Sequence, residues 1–423
     1  MGTDPLLQPS PPFPFIKKPI LLRTTYCLII PLALLNIFIF SAPPSNPPPL
    51  HKTAANRSGG GRRCDFADGR WVPDPGVPQY NDTSCTTIKS GQNCMAQGRP
   101  DTGYLHWRWQ PAACRLPAFS GESFLRLLAN KHIAFVGDSL ARNQMESLLC
   151  LLSTASGPPD LIYRRGDEDK FRRWVFPSHN ATVSIYWSPF LVKGVEKSFA
   201  EGKMHNKLYL DTADERWAAE LGGIDVVVFS AGHWFLLPGV FYGGGGEVFG
   251  CHHCAELNLT DTGFFHAFRM AVRTAVTTAV RKLGQGKMAA VTTFSPAHFE
   301  GEWDKAGACE RKEPFREGEK EMEYMDREMW KIELEEAAAA AAGASPAARV
   351  EVLDVTRMAV MRPDGHPGPY MHAMPFAGGG GVKERVQNDC VHWCLPGPID
   401  AWNEILLVLM GMWREGWELV TSL

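Results

Sequence analysis

The sequence has no excess of either charge. Its 43 lysines and arginines stand against 46 aspartates and glutamates, a formal net charge of −3 over 423 residues. Binding to nucleic-acid phosphates needs a basic surplus or patch. Here the basic residues are spread out among the acids, so no nucleic-acid partner is expected. Nor is there an internal repeat, a nucleotide-binding motif or a CoA-binding motif. Apolar residues are not scarce: they make up 45 % of the chain, which excludes global disorder.

Cysteine is plentiful. There are eleven, and once Cys27 is set aside in an apolar run, ten remain. An even number of this size points to disulfides and an oxidising compartment. Four N-x-Ser/Thr sequons, at Asn56, Asn81, Asn180 and Asn258, agree with passage through the secretory lumen. The run from Thr24 to Ala42 carries no charge and follows Lys17, Lys18 and Arg23. As a helix it would span about 28 Å, close to the hydrocarbon thickness of a bilayer. A cut after Ala42 would put Phe40 at −3 and Pro43 at +1, and both disfavour cleavage. The expected organisation is therefore a cytosolic tail (1–23), an uncleaved signal anchor (24–42), a Pro/Gly-rich stalk (43–63) and a lumenal body, a single-pass type II arrangement.

The body divides at about residue 120. Residues 64–120 hold Cys64, Cys85, Cys94 and Cys114 and three tryptophans, Trp71, Trp107 and Trp109, with little periodicity. They read as a disulfide-stapled, loop-rich subdomain. Its aromatic rings would either form a small core or face a sugar. From residue 121 to 423, short apolar runs alternate with helical stretches. The runs are HIAFV (132–136), DVVVFS (225–230), MAAVTTFS (288–295) and VEVLDVT (350–356), and each ends near Gly, Ser or Asp. Continuous runs of this length suit strands buried on both faces. Gly263–Leu283, Arg316–Ala342 and Ile399–Trp413 read as helices. The expected fold is an α/β, doubly wound parallel sheet, with its site at the carboxyl ends of the strands.

AFVGDSLARNQ, residues 134–144, puts Ser139 at such an end. Ser139 is a candidate nucleophile, with N-capping of the following helix as the alternative. A nucleophilic serine needs a base and a carboxylate to orient it. Two pairs qualify: Asp389/His392 in DCVHWC, favoured for its place before the last helix, and Asp364/His366 in DGH. Oxyanion donors are sought in the Ser139 and Gly232 N–H groups and the Arg142 and Asn143 side chains. His233 and Trp234, in FSAGHWF, either shape an acceptor groove or pack the core. In CHHC (251–254) a local disulfide or a partly redox-active Cys-x-x-C is expected and no metal, because adjacent histidines point apart.

GDSLARNQ together with DCVHWCLPGPIDAWNE, after a four-cysteine region and an N-terminal anchor, resembles the plant trichome birefringence-like proteins. These are Golgi polysaccharide O-acetyltransferases of the GDS(L)/SGNH superfamily. The resemblance runs from Cys64 to the C-terminus. It implies an SGNH-like fold and a Ser139–His392–Asp389 triad working through an acyl-serine. It implies a polysaccharide acceptor and an acetyl donor, either acetyl-CoA or a membrane-delivered acetyl intermediate, with no bound cofactor. It also implies the disulfides Cys64–Cys114, Cys85–Cys150, Cys94–Cys394 and Cys309–Cys390, which leaves Cys251 for Cys254. Many members carry Asn-Thr or Asn-Ser before GHWW. Here Ser230-Ala231 precede GHWF, so a side-chain amide is missing at that place. SAGHWF, GCHHC and RPDGHPGPY resemble the branch that acetylates galactosyl side chains of xyloglucan.

Overall fold

The chain was analysed as a computed structural model, which describes residues 64–166, 170–198, 202–343, 348–376 and 385–415. The expected tail, anchor and stalk, with Asn56, lie outside these residues. Among the described residues no helix is long and apolar enough to cross a membrane.

In chain order the strands are β1 (Gly69–Pro73), β2 (Trp107–Pro111), β3 (His132–Gly137), β4 (Asp160–Arg165), β5 (Phe171–Phe176), β6 (Ala181–Trp187), β7 (Val192–Val195), β8 (Asn206–Ala213), β9 (Val226–Ser230), β10 (Gly239–Tyr242), β11 (Val248–His252), β12 (Lys287–Thr292) and β13 (Ala348–Leu353). The main helices are α1 (Gly121–Leu127), α2 (Ser139–Ser156), α3 (Phe265–Leu283), α4 (Tyr324–Gly343) and α5 (Asp400–Glu415). The charged stretch before Tyr324, expected to be helical from Arg316, is turn and coil.

The central sheet has seven strands in the order β13-β12-β9-β3-β6-β5-β4. All four apolar runs read from the sequence lie in it, as β3, β9, β12 and β13. Side chains alternate strictly between faces. Ile133, Phe135, Val226, Val228, Met288 and Ala290 enter the core shared with α1, α2 and α5. Ala134, Val136, Val227, Phe229, Ala289 and Val291 enter the core on the other face, beneath α3 and α4. Burial of both faces is what makes these runs continuously apolar.

The sheet is not wholly parallel, as expected, but mixed. β13, β12, β9, β3 and β6 run parallel, while β5 pairs antiparallel with β6 and β4 antiparallel with β5. Chain length explains the difference. Only residues 177–180 join β5 to β6, too few for a crossover but enough for a tight reversal through Asn180 in the left-handed region. A second, four-stranded mixed sheet, β11-β10-β8-β7, was not anticipated either.

Residues 64–120 are more ordered than their sequence suggested. β1 and β2 pair antiparallel, with Trp71 opposite Trp109. Trp71 donates its indole N–H to the Met358 carbonyl and Trp109 to that of Phe66, and both rings are core. Five disulfides link Cys64–Cys114, Cys85–Cys150, Cys94–Cys394, Cys251–Cys254 and Cys309–Cys390. Asn81, Asn180 and Asn258 are all exposed.

Candidate active site

β3 is the central strand, paired with β6 on one side and β9 on the other; the chain leaves it for the β4–β5–β6 side and only later crosses to β9. The carboxyl end of β3 is thus the topological switch point of the sheet. The turn there is tight. The Asp138 N–H donates to the Ser230 carbonyl at 3.1 Å, and any Cβ on Gly137 would collide with that same oxygen. Only glycine lets β3 and β9 converge this closely just before Ser139.

Asp138, not Ser139, is the N-cap of α2. Its Oδ1 accepts from the Leu140 N–H at 2.9 Å. Ser139 is the first residue of an 18-residue helix and is half-buried. Its N–H belongs to the first turn, which lacks intrahelical acceptors and favours negative charge. The capping role left open for Ser139 therefore falls to its neighbour, and the serine hydroxyl is not needed for it.

The two Asp/His pairs have different fates. Asp389 Oδ2 lies 2.7 Å from His392 Nδ1, and its Oδ1 accepts from the N–H groups of Val391, at 3.1 Å, and His392, at 2.9 Å. The carboxylate thereby folds its own loop and sets the imidazole. A Nδ1–H donated to it leaves Nε2 as the basic nitrogen, and Nε2 is buried without a hydrogen-bond partner. Burial pushes the Asp389 carboxyl up. His392 beside it and the two N–H bonds outweigh that and hold it well below the usual carboxylate range. Asp364, in contrast, accepts two bonds from Arg362, at 2.8 and 2.9 Å, and does not orient His366. DGH is a structural motif.

The 389–394 segment is held firmly. Its main chain bridges to Gly368, with N–H···O distances of 2.9 and 3.0 Å. Cys390 and Cys394 tie it to Cys309 and Cys94. Asn143, one turn beyond Ser139, bonds to Trp393 through both ends of its amide. Behind this, Gln144 and Ser147 of α2 bond to Asn403 of α5, fixing the helix that carries the serine.

The oxyanion candidates require correction. The Gly232 N–H is spent on Asp138 Oδ2 at 3.1 Å, and one Asn143 amide N–H on Trp393. The Gly232 N–H is therefore not free to stabilise a developing charge, whereas the Asn143 amide has a second N–H beyond the one given to Trp393. Arg142 is buried, 5.8 Å from the Trp187 ring centroid and 3.9 Å from Glu146. His233 donates from Nε2 to the Ser295 carbonyl at 2.8 Å and packs on Phe294. Trp234 sits edge-on to Trp187 and Phe190. For both, these are core-type contacts at the end of β9. His233 also borders, with Asp138, Gly232 and Ser295, a cavity of about 10 Å³, room for a single water. Burial pushes the Asp138 carboxyl up and the His233 imidazole down, so both tend toward neutrality.

Three contributors escaped the sequence reading. Trp187 lies beside Gly137 in the β3/β6 pairing. Arg99 reaches from the N-terminal region to the carbonyls of Asp364 and His366. His298 contacts His366. Each stands in a stretch with no motif, and its partners are distant in sequence.

A serine at a strand-to-helix turn with an Asp-oriented histidine is the constellation of acyl transfer through a covalent serine ester. Comparison with known proteins agrees. Residues 116–409 match the GDSL/SGNH-like acyl-esterase family found in Pmr5 and Cas1p. The chain belongs to this family. Residues 62–115 match the PMR5 N-terminal domain that accompanies it. Among relatives of this acyl-esterase family, xyloglucan O-acetyltransferase 1 of Populus trichocarpa is 54 % identical over 95 % of both chains. Xyloglucan O-acetyltransferase 1 of Arabidopsis thaliana is 55 % identical over 83 % of this chain and 81 % of its own. Protein trichome birefringence-like 26 of Arabidopsis thaliana is 41 % identical over 89 % and 84 %.

Proposed function

We infer that this chain is a polysaccharide O-acetyltransferase that acetylates xyloglucan on its galactosyl side chains, using Ser139, His392 and Asp389. The observation that carries the reading is the Asp389–His392 pair at 2.7 Å, with Nε2 buried and unpartnered, on a loop tied through Trp393 to Asn143 of the helix that Ser139 begins. The likeness to relatives named for xyloglucan supports the choice of acceptor.

In the first half-reaction Ser139 Oγ attacks the acetyl carbonyl of the donor and His392 Nε2 takes the hydroxyl proton. Asp389 stabilises the imidazolium. The donor leaving group departs with that proton, leaving acetyl-Ser139. In the second, a sugar hydroxyl gives its proton to His392 and attacks the ester, and Ser139 Oγ recovers the proton as it leaves. The Ser139 N–H at the start of α2 is the oxyanion donor this geometry favours. The donor is acetyl-CoA or an acetyl group delivered through the membrane. The uncharged run 24–42 anchors the enzyme in the Golgi membrane with its catalytic body in the lumen.

The test incubates the chain with an acetyl donor and either xyloglucan or xylan, and follows acetyl on sugar and on Ser139 by mass spectrometry. Acetylated xyloglucan, lost in Ser139→Ala, is the expected result. Release of free acetate from pre-acetylated glycan, without transfer from any donor, would make the protein an esterase instead.

A further inference from the structure

His366 faces away from Asp364 and toward the catalytic loop. Its Nδ1 lies 2.7 Å from the main-chain carbonyl of His392. Its Nε2 lies 2.7 Å from Nδ1 of His298, whose Nε2 lies 2.9 Å from the Val360 carbonyl. The four groups form one chain: carbonyl, imidazole, imidazole, carbonyl. Both rings are buried, at 3 % and 8 % exposure, and His366 stacks on Trp393 with centroids 4.3 Å apart.

The ends of this chain fix its proton count. A carbonyl only accepts, so His366 Nδ1 and His298 Nε2 must both carry hydrogen. The nitrogen–nitrogen contact needs one more, shared between the rings. Three hydrogens on four ring nitrogens exceed by one what two neutral imidazoles hold. The complete chain therefore bears one positive charge.

We propose that His366 and His298 are positioning residues for acetyl transfer, a buried pair whose shared extra proton completes a hydrogen-bond chain that pins the main chain of His392. This rests on the assignment of His392 as the base. It adds a second histidine layer that reads pH independently of the base itself.

The surroundings set the direction. Burial, and for His366 the neighbouring His298, push both rings toward neutrality. Arg99, facing His366, and Lys320, facing His298, act the same way. Asp389 on the His366 side, and Asp364 and Glu323 on the His298 side, oppose them. Asp364 is already paired with Arg362. The extra proton is thus held in acid and leaves below the ordinary histidine range. When it leaves, two neutral rings can make only two of the three bonds, so the bond to His392 is kept in only part of the population and His392 is less firmly held.

The test compares wild type with His298→Gln. A glutamine amide donates to His366 Nε2 without any charge, so His366 keeps its bond to His392 at every pH. Acylation of Ser139 by an aryl acetate is followed by mass spectrometry from about pH 4.5 to about pH 8. The ratio of wild-type to variant rate should fall toward neutral pH by up to about fivefold, the worth of one whole hydrogen bond. A constant ratio overturns the proposal. Histidine-selective 15N labelling of the wild-type protein counts ring protons with no substitution at all. Uptake of a third proton by the pair, over the range where the ratio changes, is expected. Two ring protons throughout would overturn the proposal whatever the activity. Absence of acylation at every pH would instead count against the triad.

Discussion

Asn143 and Trp393 exchange two hydrogen bonds: the Asn143 amide N–H donates to the Trp393 carbonyl at 3.1 Å, and the Trp393 N–H to Asn143 Oδ1 at 2.7 Å. One side chain on the helix that starts at Ser139 thus grips the residue after His392 as a neighbouring strand would. In Asn143→Ala both main-chain groups of Trp393 lose their partners in a buried place, at about 1–3 kcal/mol each. The expected result is a lower melting temperature and a kcat reduced about 10- to 100-fold with little change in KM. A variant that loses KM alone would show that Asn143 touches the acceptor instead.

Asp389→Asn keeps the shape of the loop but presents an amide to His392. If its N–H faces Nδ1, the imidazole carries its proton on Nε2, the wrong nitrogen for a base. The expected loss in acetyl transfer is about 10⁴-fold, with near-native circular dichroism. The same substitution flattens the acid limb of stability. The Asp389 carboxyl is held low in the folded state. Its contribution is present above the ordinary carboxylate pKa of about 3.9 and is lost as pH falls below it. Equal acid sensitivity of wild type and variant would refute this.

Asp400 and Glu404 behave in the opposite sense. Burial raises Asp400 to about 6, and burial together with Asp400 raises Glu404 to about 8. The folded chain keeps protons that the unfolded chain releases near pH 4. This stabilisation is complete below that point and is lost as pH rises through about 6 and then about 8. Wild-type melting temperature should decline across that window. Glu404→Gln should remove the upper part of the decline, roughly 5 °C. Scanning calorimetry at stepped pH reads it, and parallel curves would contradict it.

The Cys94–Cys394 disulfide joins residues 300 apart and ends two positions past His392. Replacing both cysteines by serine should cost about 2–5 kcal/mol of stability. Transfer activity should fall even at temperatures where the variant is fully folded, because the loop bearing the base loses a staple. Unchanged kcat in the folded variant would confine the disulfide to stability.

Much of the frame was legible in the order of residues. Runs buried on both faces announce themselves by being apolar throughout, so β3, β9, β12 and β13 could be read directly. The Gly137 turn follows from the end of such a run. The Asp389–His392 relation is local, three positions apart, and needs only its own loop. The antiparallel edge was harder, since β4 and β5 mix charged and apolar residues, and the shortness of the β5–β6 link decides their direction.

What the sequence could not determine was which polar groups remain free. Gly232 and Asn143 were reasonable oxyanion donors by type and position. Their partners are 94 and 250 residues away, and only the folded chain shows that the Gly232 N–H and one Asn143 N–H are already committed. His298 stands in no motif and His366 was read only beside Asp364, and their pairing arises from two carbonyls that tertiary packing sets at either end. Residue type and spacing determined the strands, the nucleophile turn and the Asp–His pair, because local hydrogen bonds and burial periodicity are written along the chain. Donor availability, the anchoring of the 389–394 loop and the contact between His298 and His366 were decided by tertiary structure, because hydrogen-bond satisfaction in a buried site is a property of neighbours in space.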